Sequence, residues 1–112
     1  MKTHTIIGLW ASALLLAPPA ARAAAAAENW TQACASCHGA DGAGQTKMGR
    51  KLGAKDLRDA AYQKTFNDDQ LFGNLKAGET WPDGKVKMKP FADKLSDAEI
   101  KALVGYVRSL AK

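Results

Sequence analysis

The only two cysteines of the chain, Cys34 and Cys37, stand three positions apart in CASCHG, with His38 directly after them. Three chemistries use two thiols and an imidazole at this spacing. A dithiol can cycle against its disulfide, and thiolates with imidazole can hold zinc. Alternatively, two thiols can add to the vinyl groups of a haem whose iron takes the adjacent imidazole as an axial ligand. The rest of the sequence chooses among them.

A structural zinc site needs four ligands, usually Cys and His. The one other histidine, His4, lies in an N-terminal segment that reads as a leader. A carboxylate would therefore have to complete the shell, which makes a poor site. A thioredoxin-like CxxC belongs at the start of a helix that follows a strand. The stretch before Cys34 reads as helix. Haem attachment meets neither objection: one helical turn presents both sulfurs to one haem edge, and His38 then lies beneath the iron. One such motif implies one haem c, covalently attached through Cys34 and Cys37.

The second axial ligand has to come from elsewhere in the chain. No histidine remains for it, and besides the initiator the methionines are Met48 and Met88. Met48 lies ten residues beyond His38, a short path from one haem face to the other. Met88 lies fifty residues beyond, in KMKPFADKLSD, where Pro90 can stiffen the loop. Spacing favours Met88, while Met48 or a lysine as ligand, and Met88 as a flexible core filler, stay open. A thioether opposite an imidazole raises the reduction potential and closes the iron to exogenous ligands, which suits electron transfer rather than oxygen chemistry.

Three main helices must position these groups. The clearest is C-terminal. Ser96 and Glu99 form a capping box, Leu95 and Ile100 a hydrophobic staple, and Ile100, Leu103, Val104, Val107 and Leu110 recur on one face. Gly105 interrupts this helix, either as a neutral surface residue or as a point of close helix approach. A second helix is predicted over 68–77, with Asn67 as N-cap, Gln70 completing the box and Gly78 as the left-handed residue that ends it. A first helix should lead from about Ala26 into Cys34, and DLRDAAYQ can add a helical turn. Residues 39–54 and 78–90 read as long loops, and no strand pattern stands out. Long loops in so small a chain fit best if they wrap something.

The N-terminus has the order of an export signal: Lys2, the 12-residue apolar run Ile6–Ala17, then Pro18, Pro19 and Ala21-Arg22-Ala23. The run is short of the about 20 residues that span a bilayer, so stable membrane insertion is not expected. Residues 1–23 are read as signal peptide, with cleavage as late as 27 allowed, and 24–112 as one domain in the periplasm or an equivalent compartment. Of 16 basic residues, Lys2 and Arg22 leave with the leader, so 14 face 11 acidic ones for a net charge of +3. That is too mild for a nucleic-acid binder.

The sequence from about Ala26 to Leu110 resembles the small bacterial class I c-type cytochromes. The resemblance rests on CASCHG, on MKPF as a Met-x-Pro-Phe loop, and on the closing helix SDAEIKALVGYVRSL. It implies an all-α class I cytochrome c fold, with three main helices and long loops around one covalent haem. It makes His38 the proximal ligand and Met88 the distal one. It also implies that Trp30 and Ala26 pack against Gly105-Tyr106 where the first and last helices cross. One feature departs from the pattern: GRKLGAKDL lacks the proline whose carbonyl commonly accepts the proximal imidazole's N–H, so the acceptor for His38 is open. Trp81 is read as donating to a haem propionate or as packing against the haem.

The function implied is a monomeric one-electron carrier between redox partners, not an enzyme. Its alternatives are a haem subunit of a larger oxidoreductase and an open-site ligand-binding haem protein. Lys85, Lys87 and Lys89 beside Met88, and Lys47, Arg50, Lys51 and Lys55, would steer partners with acidic faces, unless they are simply solvated.

Overall fold

The computed structural model describes residues 17–112. The apolar run that reads as the signal's core lies outside the described residues, apart from Ala17.

Helix α1 spans Pro19–Ala33 and α2, Ala35–His38, follows after Cys34. Proline at the first helical position needs no N–H there and has the right φ, so the alanine-rich run starts helical well before Ala26. Residues 18–24 are exposed; the first buried position is Ala26, followed one turn later by Trp30. Helix α3, Lys47–Leu52, occupies a segment that reads as loop. Helix α4 is the short turn Ala60–Gln63, capped by Asp59, and α5 is Asp68–Ala77, with both halves of the Asn67–Gln70 capping box formed. A small antiparallel ladder follows, β1 Glu79–Thr80 with β2 Val86–Met88, pairing Glu79 with Met88 and Thr80 with Val86. Helix α6, Asp97–Ser109, closes the chain behind the Ser96–Glu99 box. The ladder and α3 are the additions to the all-α arrangement expected.

The core forms where α6 meets α1 and α5. Ile100, Leu103, Val104 and Val107 pack on Trp30, Cys34, Leu57 and Leu75. Ile100 and Leu103 are fully enclosed, each contributing about 1.5–3 kcal/mol by leaving water. Gln63 is the buried polar exception among the described residues. Its side-chain amide donates to the carbonyls of Leu57 (2.7 Å) and Val107 (2.8 Å), tying the 57–63 segment to α6. From α6, Arg108 reaches back to Asp68 (2.8 Å) and the Phe66 carbonyl (2.8 Å), which holds the start of α5.

One packing expectation fails. Gly105 is exposed, and a methyl group placed there would touch nothing within 4 Å. The helix crossing is built instead by Ala26, Trp30 and Tyr106, with the Trp30 and Tyr106 rings 5.2 Å apart.

Candidate functional site

The run Cys34–His38 sits on and just before the short helix α2, at the end of α1. Trp30 fixes it from within. Its indole N–H donates to the Gly39 carbonyl (3.0 Å), and its ring lies 5.7 Å from the His38 ring. Gly39 and Gly44 turn the chain back, so that the Gly44 N–H reaches the His38 carbonyl (2.8 Å) and the Thr46 hydroxyl donates to the Cys37 carbonyl (2.7 Å). Thr46 also caps α3 by accepting from the Gly49 N–H (2.9 Å). Gly49 lies so close to the Cys37 carbonyl that any β-carbon there would collide with it. These contacts press α3 onto α2. Neither the hydrophobic pattern nor a long helix signal marks α3, so its nearness to the site was not readable; the Thr46 cap and Gly49 were the available hints.

A cavity of about 950 Å³ opens beside this helix, at the upper end of the roughly 300–1,000 Å³ found for cofactor pockets. Cys34, Cys37, His38 and Met88 all line it. Met48 and Leu52 line it too, one helical turn apart on α3, and Glu79, Phe91 and Tyr62 complete much of the wall. The structure thus brings together the four residues expected to hold the haem, and Met48 with them. Trp81 is not among the lining residues. It lies on the hairpin surface, with the Lys87 ammonium 4.8 Å above its ring.

The electrostatics separate the three chemistries. Both thiols are free, and Cys34 is buried. Its pKa is pushed up to about 11, first by burial and then by the neighbouring Cys37. A working redox dithiol needs a depressed thiol pKa, so this environment opposes that role. Burial also holds the His38 imidazole below its ordinary pKa, with Glu79 pulling weakly the other way. The neutral ring that results is the form that ligates metals. His38 Nδ1 is buried with no hydrogen-bond partner, in keeping with the missing proline carbonyl. A large, partly apolar cavity lined by two free thiols, a neutral imidazole and a thioether fits a haem well. Among the described residues, no group of three or more His, Cys, Asp or Glu is arranged to hold a bare metal ion.

The sequence profile of the cytochrome c family matches residues 23–111. The chain belongs to the cytochrome c family. Its fold is that of a small class I c-type cytochrome. The solved structure of the KustC0563 c-type cytochrome is 36% identical and superposes with a TM-score of 0.68, covering 78% of this chain and 98% of that one. A tyrosine-to-phenylalanine mutant of Kustc0563 is similar at 35% identity and a TM-score of 0.65, covering 76% and 96% of the two chains. This cytochrome is also 36% identical over 77 residues to the Cbb3-type cytochrome c oxidase subunit FixPc of Rhizobium leguminosarum bv. viciae. That match takes in 69% of this chain but only 24% of the relative, so the chain spans about a quarter of its length. Family membership implies covalent haem c and electron transfer with redox partners. No helix of the described residues is long and apolar enough to cross a membrane.

Proposed function

We propose that this cytochrome is an exported, monomeric one-electron carrier with one haem c, bonded through Cys34 and Cys37 and ligated by His38 and Met88. The observation that carries this reading is the single cavity lined by all four side chains. When bound, the haem iron supplies one-electron exchange between two oxidation states. Cys34 and Cys37 hold the porphyrin edge. His38 offers a neutral imidazole, oriented by the Trp30 ring. Met88 supplies the thioether that raises the potential and keeps small ligands out. Met48 is the weaker choice. Its helix packs on the helix that carries His38, whereas Met88 arrives on the separate hairpin after α5. Lys55, Lys87, Lys89 and Lys94 line the same cavity, which suits encounter with acidic partner surfaces. Cleavage after Ala23 or Ala25 retains the buried Ala26, and cleavage after Ala27 would remove it from the α1–α6 crossing. The earlier sites therefore fit the packing, and export to the periplasm or an equivalent compartment is part of this reading.

The test is the visible spectrum of purified Met88→Ala beside wild type, oxidised and reduced, with and without CO. The expected wild type is low-spin and indifferent to CO, with the weak sulfur-to-iron band at the near-infrared edge; the variant loses that band and binds CO. A wild type that already binds CO, with a variant identical to it, would replace the carrier reading by an open-site haem protein.

The FixPc relative favours a second reading, a haem module held within a larger oxidoreductase. Size-exclusion of a native extract separates the two. Haem-stained protein of this chain's mass supports the carrier, and co-elution with a large complex supports the module.

A further inference from the structure

Met88 is delivered by a segment with almost no slack, and one residue faces it at the tightest point. Helix α5 ends at Ala77, leaving carbonyls that need donors. The Phe91 N–H bonds to the Leu75 carbonyl (3.1 Å) and the Ala92 N–H to the Lys76 carbonyl (3.2 Å), so the strand after Met88 is tied to the end of α5. On the other side Glu79 pairs with Met88 in the ladder. Between these two attachments lies Gly78, with φ 73° and ψ −175°. This region is essentially reserved for glycine and differs from the ordinary left-handed helix cap. A β-carbon at Gly78 would stand 2.5 Å from the Met88 carbonyl oxygen, 2.7 Å from the Pro90 nitrogen and 3.0 Å from the Lys89 carbonyl carbon. All three are backbone atoms, and real β-carbons essentially never come as close as the first two distances.

We propose that Gly78 is the positioning residue for the Met88 thioether: the absence of a side chain there sets how closely the backbone of residues 88–90 seats on the end of α5. The proposal rests on the reading of Met88 as the distal ligand. A methyl group at position 78 lifts that backbone away from α5 and shifts the residue that carries the sulfur. The three atoms nearest the added methyl all belong to the 88–90 backbone, and none belongs to the core between Leu75 and Ile100. The effect therefore falls on the thioether more than on the fold.

The test compares haem-loaded wild type, Gly78→Ala, Gly84→Ala and Met88→Ala. Gly84, in the hairpin turn, shares a positive φ of 86° but has nothing within 4 Å of a β-carbon. Its variant carries backbone strain without the collision. The expected result is loss of most of the sulfur-to-iron band, a lowered potential and new CO binding in Gly78→Ala, with the band intact in Gly84→Ala. A full band and no CO binding in Gly78→Ala overturns the proposal, as does equal loss in both glycine variants. If Met88→Ala itself keeps the band, the ligand reading fails and the proposal with it. If Met88→Ala loses the band and Gly78→Ala keeps it, only the positioning role falls. Should Gly78→Ala not accumulate, Gly78→Ala combined with Lys89→Gly gives the segment room to retreat, and it is compared with Lys89→Gly alone. Band loss confined to the double variant supports the proposal, and equal bands overturn it.

Discussion

Replacing Trp30 by phenylalanine isolates what the indole adds to the joint between α1, α6 and α2. Trp30 is 2% exposed, its ring neighbours those of His38 and Tyr106, and its N–H satisfies the Gly39 carbonyl at 3.0 Å. Phenylalanine retains an aromatic ring but no donor and less volume. The lost hydrogen bond costs about 1 kcal/mol. The lost apolar contact, on the order of 40 Å², costs about 1 kcal/mol more. A destabilisation of about 2 kcal/mol in a domain this small corresponds to a Tm fall of roughly 8–16 °C. Trp30→Ala would remove about 3–5 kcal/mol, a large share of the about 5–15 kcal/mol that holds such domains folded, so phenylalanine is the more informative change. The assay is thermal unfolding of the haem-loaded protein by far-ultraviolet circular dichroism, with the visible spectrum recorded at 25 °C. The spectrum should not change, because phenylalanine still packs on the imidazole. A Tm within about 2 °C of wild type would show that the indole N–H contributes little. Loss of the sulfur-to-iron band would show that Trp30 governs the axial ligands rather than helix packing.

Gly105→Ala should raise stability by about 1 kcal/mol, since the site is exposed within a helix and alanine there meets no neighbour; a fall in Tm would restore a packing role for this glycine. Reversing Lys85, Lys87 and Lys89 to glutamate should slow electron transfer to an acidic redox partner at low salt, with the difference shrinking as ionic strength rises, and equal rates at all salts would remove those lysines from docking. Glu99 is held below its ordinary pKa of 4.5, chiefly by accepting from the Ser96 backbone N–H. It binds its proton less readily folded than unfolded, so its contribution is full above pH 4.5 and disappears as pH falls through the lowered value. Glu99→Gln preserves the capping box but should lose less stability between pH 5 and 3 than wild type, in urea unfolding at each pH; parallel acid limbs would rule the effect out.

What the sequence made legible was local chemistry. Ser96 with Glu99 and Asn67 with Gln70 announced two helices because a cap and its reciprocal partner lie within four residues. Cys34, Cys37 and His38 announced the site because their chemistry depends on adjacency. Contacts made through space were harder to see. The segment 47–52 has no amphipathic signature of length; it is helical because Thr46 caps it while gripping the Cys37 carbonyl, and because Gly49 permits that closeness. The ladder at Glu79–Met88 contains too few residues to show alternation, and it exists because α5's last carbonyls capture Phe91 and Ala92. Gly105 and Gly78 are the instructive pair. Each stands within or at the end of a helix, and the sequence offered a local or packing reason for both. In three dimensions Gly105 faces open space while Gly78 faces three backbone atoms of the methionine segment. A glycine's meaning is set by what its missing side chain would have touched. For Gly78 that neighbour is the backbone of the segment that carries Met88, which is why the residue that ends a helix enters the proposal about the thioether.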